Sequence, residues 1–239
     1  MSVTARHKRF DASRQMKLRR YIWYAIGEIL LIFAGITLAL WFSNWNDERK
    51  LHESELQILA DIAENLRTNV DHFRANIKED EDRVSACSRF IESTAAKQPW
   101  SDVLGSDLYE CRWWTSPFLT SAAYQSLKAK GTDLSSDKEL RSSIIKLYEQ
   151  TYAYLVNDMD KTFWGFQEFL IAPLFNRHIR DAGPNQFVPN DYQAMLESTE
   201  FFNMLHRKIA TQTSSIRTQR ESLRATEEVI DMIEARLAQ

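Results

Sequence analysis

Glycine and proline are scarce in this chain, six and five among 239 residues. An all-β domain needs many tight turns, and tight turns draw on these two residues. The shortage therefore argues for long helices and against sandwiches and barrels. Charge of one sign is lacking too: the net charge is −3, too mild for a nucleic-acid binder, and past the N-terminus the two signs are interspersed. His7, His52, His72, His178 and His206 form no metal-ligand pattern, and Cys87 and Cys111 form no paired C-x-x-C. No G-x-S-x-G elbow, Walker loop or dinucleotide fingerprint is present. These absences point away from an enzyme and imply no metal and no other cofactor. A mean hydropathy of −0.42 excludes a multi-span protein.

What is there begins with one long apolar run. From Ile22 to Phe42 the only charged residue is Glu28, and about 20 apolar residues suffice to cross a bilayer as a helix. Tyr21, Trp23 and Tyr24 flank one end, Trp41, Phe42 and Trp45 the other, as expected of rings that favour the headgroup zone. Arg6, Lys8, Arg9, Arg14, Lys17, Arg19 and Arg20 precede the run against Asp11 alone, whereas Asp47 and Glu48 cancel Arg49 and Lys50 after it. The positive-inside rule then makes residues 1–20 a basic cytoplasmic tail, 21–45 a transmembrane helix and 46–239 an extracytoplasmic domain. A cleaved signal peptide fits poorly, because the run is long and no small-x-small site follows it.

An ionisable residue inside a span is costly and functional by default. Glu28 shares a helical face with Leu31, Gly35 and Ala39, and Gly35-x-x-x-Ala39 is a small-xxx-small pair that lets another helix approach closely. One face thus offers a polar group beside a flat groove. The plainer alternative is that Glu28 leans towards lipid headgroups and Gly35 is incidental.

Two long amphipathic stretches follow. Over about 46–94, Leu59, Ile62, Leu66, Val70, Phe73, Ile77, Val84, Cys87 and Ile91 keep three- and four-residue steps, with one seven-residue gap at Asp80 and Glu81. Over about 199–238, Phe202, Leu205, Ile209, Gln212, Ile216, Gln219, Leu223, Thr226, Ile230, Ile233 and Leu237 alternate such steps, and Gln212, Gln219 and Thr226 put polar groups on the seam. The partner of each stripe is either the other stretch, running antiparallel, or a second copy of the chain. Between them, residues of about 99–198 form an aromatic-rich helical region, either a distal head on a stalk or part of one elongated bundle. Ser101 caps a short helix there, Ser116-Pro117 opens another that Gly131 closes, Ser135 or Ser136 starts a third, Pro173 interrupts it, and Gly183-Pro184, Pro189 and Asn190 mark a loop. The fold class expected is all-α: one transmembrane helix continuing into an elongated extracytoplasmic antiparallel bundle.

Cys87 and Cys111 lie in the part assigned outside, where oxidation is available. They either form a bridge, worth about 3 kcal/mol for a loop of this length, or pack as two small apolar thiols. The aromatic residues of the central region mostly fall at helical spacing and read as core. The adjacent Trp113 and Trp114 are the exception, because neighbours on a helix point about 100° apart, and they make a candidate ligand or partner surface.

The run Tyr24-Ala25-Ile26-Gly27-Glu28-Ile29 followed by Asn44-Trp45-Asn46, together with Ala123-Tyr124-Gln125-Ser126-Leu127-Lys128-x-x-Gly131 and a later Leu147-Tyr148, resembles a family of uncharacterised bacterial single-span membrane proteins, a domain of unknown function. The resemblance implies a bacterial membrane location and makes Glu28 part of a motif; the location expected is the inner membrane. The long basic tail departs from it. The function expected is that of a non-enzymatic accessory or scaffold protein. Its partners are the lipid bilayer and either a membrane protein or a second copy, met through the transmembrane face and the coiled-coil seam. The alternatives are an extracytoplasmic ligand-sensing bundle that signals through a partner, and a subunit of an ion-driven complex that uses Glu28 as a proton carrier.

Overall fold

The computed structural model describes residues 4–131 and 137–238, with side chains described at Trp23, Tyr24 and from Ile26 onward within those ranges. The chain is mostly helical and divides into two units, Met1–Ser54 and Glu55–Gln239. Helix α1 (Thr4–Ala95) contributes to both; the residues read as a basic tail are helical from Thr4.

In the first unit every described large apolar side chain is exposed, from Trp23 to Leu51. The helix buries its backbone polar groups in its own hydrogen bonds, and Thr37 returns its hydroxyl to the Phe33 carbonyl at 2.8 Å. Among the described residues one helix is long and apolar enough to cross a membrane: its apolar window has a mean hydropathy of 2.0 and none of it is buried.

The second unit is a helical bundle. Besides the distal part of α1 it holds α2 (Asp102–Arg112), α3 (Ala122–Lys130), α4 (Lys138–Lys146), α5 (Asp160–Phe166), α6 (Ala172–His178), α7 (Tyr192–Leu196) and α8 (Thr199–Leu237). Three ion pairs line the contact of α1 with α8: Arg67–Glu234 at 2.6 Å, Arg74–Glu227 at 2.7 Å, and Glu81–Arg220. Both helices advance by seven residues from pair to pair, in opposite senses, so the two run antiparallel in one register. The polarity reverses at the third pair, which a slip of one heptad sets charge against like charge.

Two apolar clusters fill this unit. One joins Leu59, Ile62, Leu66 and Phe73 of α1 to Leu140, Ile144, Leu147 and Leu155 of the central region and to Ile216, Ile230 and Ile233 of α8. The other gathers Cys87, Phe90, Leu108, Cys111, Phe175, Phe187, Phe201 and Leu205. Cys87 and Cys111 are joined by a disulfide, with their Cα atoms 4.6 Å apart. Residues of about 99–198 pack along both long helices, with Leu140, Ile144 and Leu147 in one cluster and Leu108, Phe175 and Phe187 in the other.

The expectation of an all-α domain needs correction at one place. Residues read as a loop around Gly183-Pro184 form a two-stranded antiparallel hairpin, β1 (Ile179–Gly183) with β2 (Gln186–Pro189). Gly183 and Asn185 take positive φ at its turn, and Phe187 anchors it against Tyr109 and Phe175. Gly105 lets the hairpin sit on α2: a Cβ there comes within 2.4 Å of the Phe187 carbonyl oxygen.

Three helix boundaries also differ. Ser101 does cap α2, accepting from the Leu104 N–H at 3.4 Å, and Gly131 closes α3 with φ 99°. Ser116-Pro117 does not open α3, which starts at Ala122; Asn65 of α1 accepts the first-turn N–H of Ala123, and Asn69 holds the preceding Thr120 by its N–H. Asp137 caps α4, accepting from Glu139 and Leu140; Ser135 and Ser136 lie outside the described residues. Pro173 does not interrupt the run from Lys138 to His178. That run contains three wide π-helical stretches, Leu147–Tyr152, Leu155–Met159 and Gln167–Ile171, and Pro173 follows the last of them in the first turn of α6, where a missing N–H is tolerated.

Candidate functional site

The residues singled out on the apolar run stay together on one helical face. Glu28, Leu31, Gly35 and Ala39 are all exposed, and a Cβ added to Gly35 meets nothing within 4 Å. The face therefore presents a carboxylate and a shallow strip of small residues with no cover from the described residues of the chain.

Trp113 and Trp114 do not share a helix. Trp113 caps the C-terminus of α2 in extended conformation and Trp114 follows in the connecting segment. The Trp113 ring packs edge-on to Tyr109 at 6.1 Å beneath the Arg112 guanidinium. Trp114 stacks on Phe163 at 5.7 Å and donates its indole N–H to Asp160 at 3.3 Å. The two rings are thus mostly bundle packing, with a third of Trp113 left to solvent (37 % exposed).

The most organised polar site lies on the α1–α8 seam, where the sequence shows a gap in one stripe and glutamines in the other. Asp80 is 1 % exposed and accepts four hydrogen bonds: from the Thr115 N–H at 3.0 Å, Gln212 Nε2 at 2.9 Å, Gln219 Nε2 at 3.2 Å and Arg83 Nη1 at 3.4 Å. Lys208, also 1 % exposed, donates to the Trp113 carbonyl at 2.7 Å and to Gln212 Oε1 at 2.6 Å. Gln212 therefore links the lysine to the carboxylate. Burial drives the Lys208 amine down to about 7; Asp80 opposes the shift and Arg83 adds to it. Around this layer the Arg83 Nε, the Thr115 hydroxyl and the Gln219 Oε1 are buried with no hydrogen-bond partner among the described residues.

The layer holds down a strand-like segment. Within Trp113–Ser116, Trp113 accepts from Lys208, Thr115 donates to Asp80, and Trp114 and Ser116 both donate to Asp160. The disulfide fixes the chain two residues before Trp113. Further along the seam, Thr226 shares a 2.8 Å hydrogen bond with Tyr152, whose hydroxyl is pushed up to about 12, mainly by burial.

The sequence singled out Asp80, Gln212 and Gln219 separately, and the structure brings them together. Lys208 escapes that reading. The signal for it is the series Leu205, Lys208, Gln212, Ser215, Gln219, Ser222, Thr226, which steps by three and four and is buried throughout. Choosing the apolar companions Ile209, Ile216 and Leu223 hides it. Both series are needed because α8 packs against α1 on one side and the central helical run on the other, so its buried arc is wider than a two-helix seam.

The described residues contain no group of acidic, histidine or cysteine side chains placed to hold a metal ion. No protein-family model, curated protein or solved structure matches this chain.

Proposed function

We propose that this protein is a membrane-anchored, non-enzymatic accessory or scaffold protein, spanning a bacterial inner membrane once with its N-terminus cytoplasmic and its bundle outside. The observation that carries the reading is the exposed apolar stretch of α1, with Glu28, Leu31, Gly35 and Ala39 on one face and no cover from the described residues. Lipid tails satisfy its leucines and isoleucines. A carboxylate within that stretch is better satisfied by a polar group on a second helix, and Gly35 and Ala39 let that helix come close. The second helix belongs to a membrane protein or to another copy of this chain. The motif resemblance around Tyr24–Ile29 supports a bacterial membrane location.

The test is purification of the tagged full-length protein from native membranes in mild detergent, with the stoichiometry of what accompanies it. A stoichiometric membrane partner, or a defined homo-oligomer, lost in Gly35→Leu and Glu28→Leu is expected. Recovery of unaccompanied monomer, unaffected by either substitution, contradicts the reading.

A ligand-sensing bundle is the second reading. A groove of about 790 Å³ between the end of α1 and the start of α8 favours it, lined by Ile91, Thr94, Tyr192, Leu196, Phe202 and His206 among others. Ligand-dependent thermal stabilisation of the full-length protein tests it. The proton-carrier reading makes a different demand: Glu28→Gln must abolish the activity of the complex that Glu28→Asp retains.

A further inference from the structure

We propose that the buried layer of Asp80, Lys208, Gln212 and Gln219 is a proton-operated latch, which holds the Trp113–Ser116 segment closed when Lys208 is neutral and releases it when Lys208 takes up a proton. The latch lies in the bundle and operates whether or not the apolar face of α1 docks a partner.

The hydrogen-bond inventory carries the inference. A neutral amine has two N–H groups, and Lys208 Nζ has two acceptors, the Trp113 carbonyl and Gln212 Oε1. An ammonium brings a third N–H and a full charge into a layer where the lysine is 1 % exposed. Asp80 favours that charge, but its carboxylate is already engaged by Thr115, Gln212, Gln219 and Arg83. The ionisable groups facing the layer are few. From α1 come Asp80 and Arg83, with Glu79 bound to Arg83 behind them; α2 adds Glu110, 3.8 Å from Arg83. The Trp113–Ser116 segment presents a carbonyl and an N–H to the layer and is bound on its other side to Asp160 of α5, and α8 presents the amides of Gln212 and Gln219 beside Lys208 itself.

Cys111 ties the start of the segment to Cys87, so opening moves Trp113–Ser116 from a fixed point, breaks the bonds of Trp114 and Ser116 to Asp160 and exposes the Thr115 N–H that Asp80 now holds. In the open form Lys208 meets water and regains its ordinary basicity near 10.5, whereas in the closed layer burial holds it near 7. The open form therefore binds the proton that the closed form refuses. Closure strengthens as pH rises from about 7, about tenfold per pH unit for one proton, and below about 7 it is weakest and insensitive to pH.

Hydrogen–deuterium exchange of the full-length protein in detergent, read on the peptide containing Thr115 and corrected for intrinsic exchange rates, tests this between pH 6 and 9. The expected opening constant is flat below about pH 6.5 and falls about tenfold per unit above about pH 7.5. In Lys208→Met the slope disappears. In Asp80→Asn the bend moves to lower pH, because the charge that favours the ammonium is gone, and this arm identifies the titrating group if Lys208→Met does not fold. A profile flat throughout in the wild type, a slope that survives Lys208→Met, or a bend unmoved by Asp80→Asn overturns the latch.

Discussion

The seam between α1 and α8 is held in two different ways along its length. Around Leu66 and Phe73 it is apolar, closed by Ile230, Ile233 and the central helices. Around Asp80 it is polar, and every side chain that α8 brings to the carboxylate and the lysine is an amide. The apolar stretch supplies burial, which is non-directional and tolerates sliding. The polar layer supplies direction: its donors meet their acceptors in one register only, and a displaced register leaves buried charges unpaired. Stability resides in the first and alignment in the second. The apolar stretch of the first unit makes the same point by contrast. Its described large side chains are as apolar as those around Leu66, yet all of them are exposed, so what they lack among the described residues is a surface to bury against.

The largest loss is expected at the apolar end of the seam. Phe73 is 0 % exposed, and Phe73→Ala is expected to cost about 3–5 kcal/mol in urea unfolding followed by circular dichroism, through lost burial and the cavity left behind. At the polar end, Asp80→Ala is expected to cost about 3 kcal/mol, because it strands Lys208, Gln212, Gln219 and the Thr115 N–H without their anion. Asp80→Asn, which keeps the shape and part of the bonding, should cost clearly less by the same assay. Equal losses from Asn and Ala mean that the charge, rather than the bonding pattern, organises the layer.

Gly105→Ala sits between these and the surface in size. Its Cβ meets the Phe187 carbonyl at 2.4 Å, backbone against backbone, so about 1–3 kcal/mol is expected from the forced displacement of the hairpin, read as a lower melting temperature. The smallest effect belongs to the ion-pair ladder. A double-mutant cycle on Arg74 and Glu227, both largely exposed, should return about 0.2–1 kcal/mol and shrink in high salt. A coupling several times larger transfers the task of setting register from the buried layer to the ladder.

Much of the fold is legible in the sequence, for reasons specific to its parts. The two long helices announce themselves because a stripe repeated over many turns leaves few alternatives. Their antiparallel pairing is among the options the stripes allow, and the heptad steps of Arg67, Arg74 and Glu81 against Glu234, Glu227 and Arg220 select it. The caps at Ser101 and Gly131 are local chemistry and can be read locally. Elsewhere the deciding partner is remote. Asn65 and Asn69 hold the start of α3 and the residue before it from another helix, and no nearby residue advertises it. The hairpin rests on Phe187 finding Tyr109 and Phe175 rather than on strand periodicity, since its strands are five and four residues long. The π-helical stretches carry no composition of their own. Of the buried layer, Asp80, Gln212 and Gln219 stand out as polar residues on apolar stripes. Lys208 does not, because a lysine beside Ile209 reads as the solvent side of the helix.

In the proposed assembly, one face of the apolar stretch of α1 meets another helix and the opposite face meets lipid. The most direct test is photo-crosslinking in native membranes, with a photoreactive residue placed singly at Leu31 or Gly35 and, for comparison, at Leu30 or Phe33 on the far side. A protein adduct of defined mass is expected from Leu31 and Gly35, abolished by Glu28→Leu, with only lipid adducts from Leu30 and Phe33. Lipid adducts alone from all four positions, or the same protein adduct from both faces, contradict that assembly.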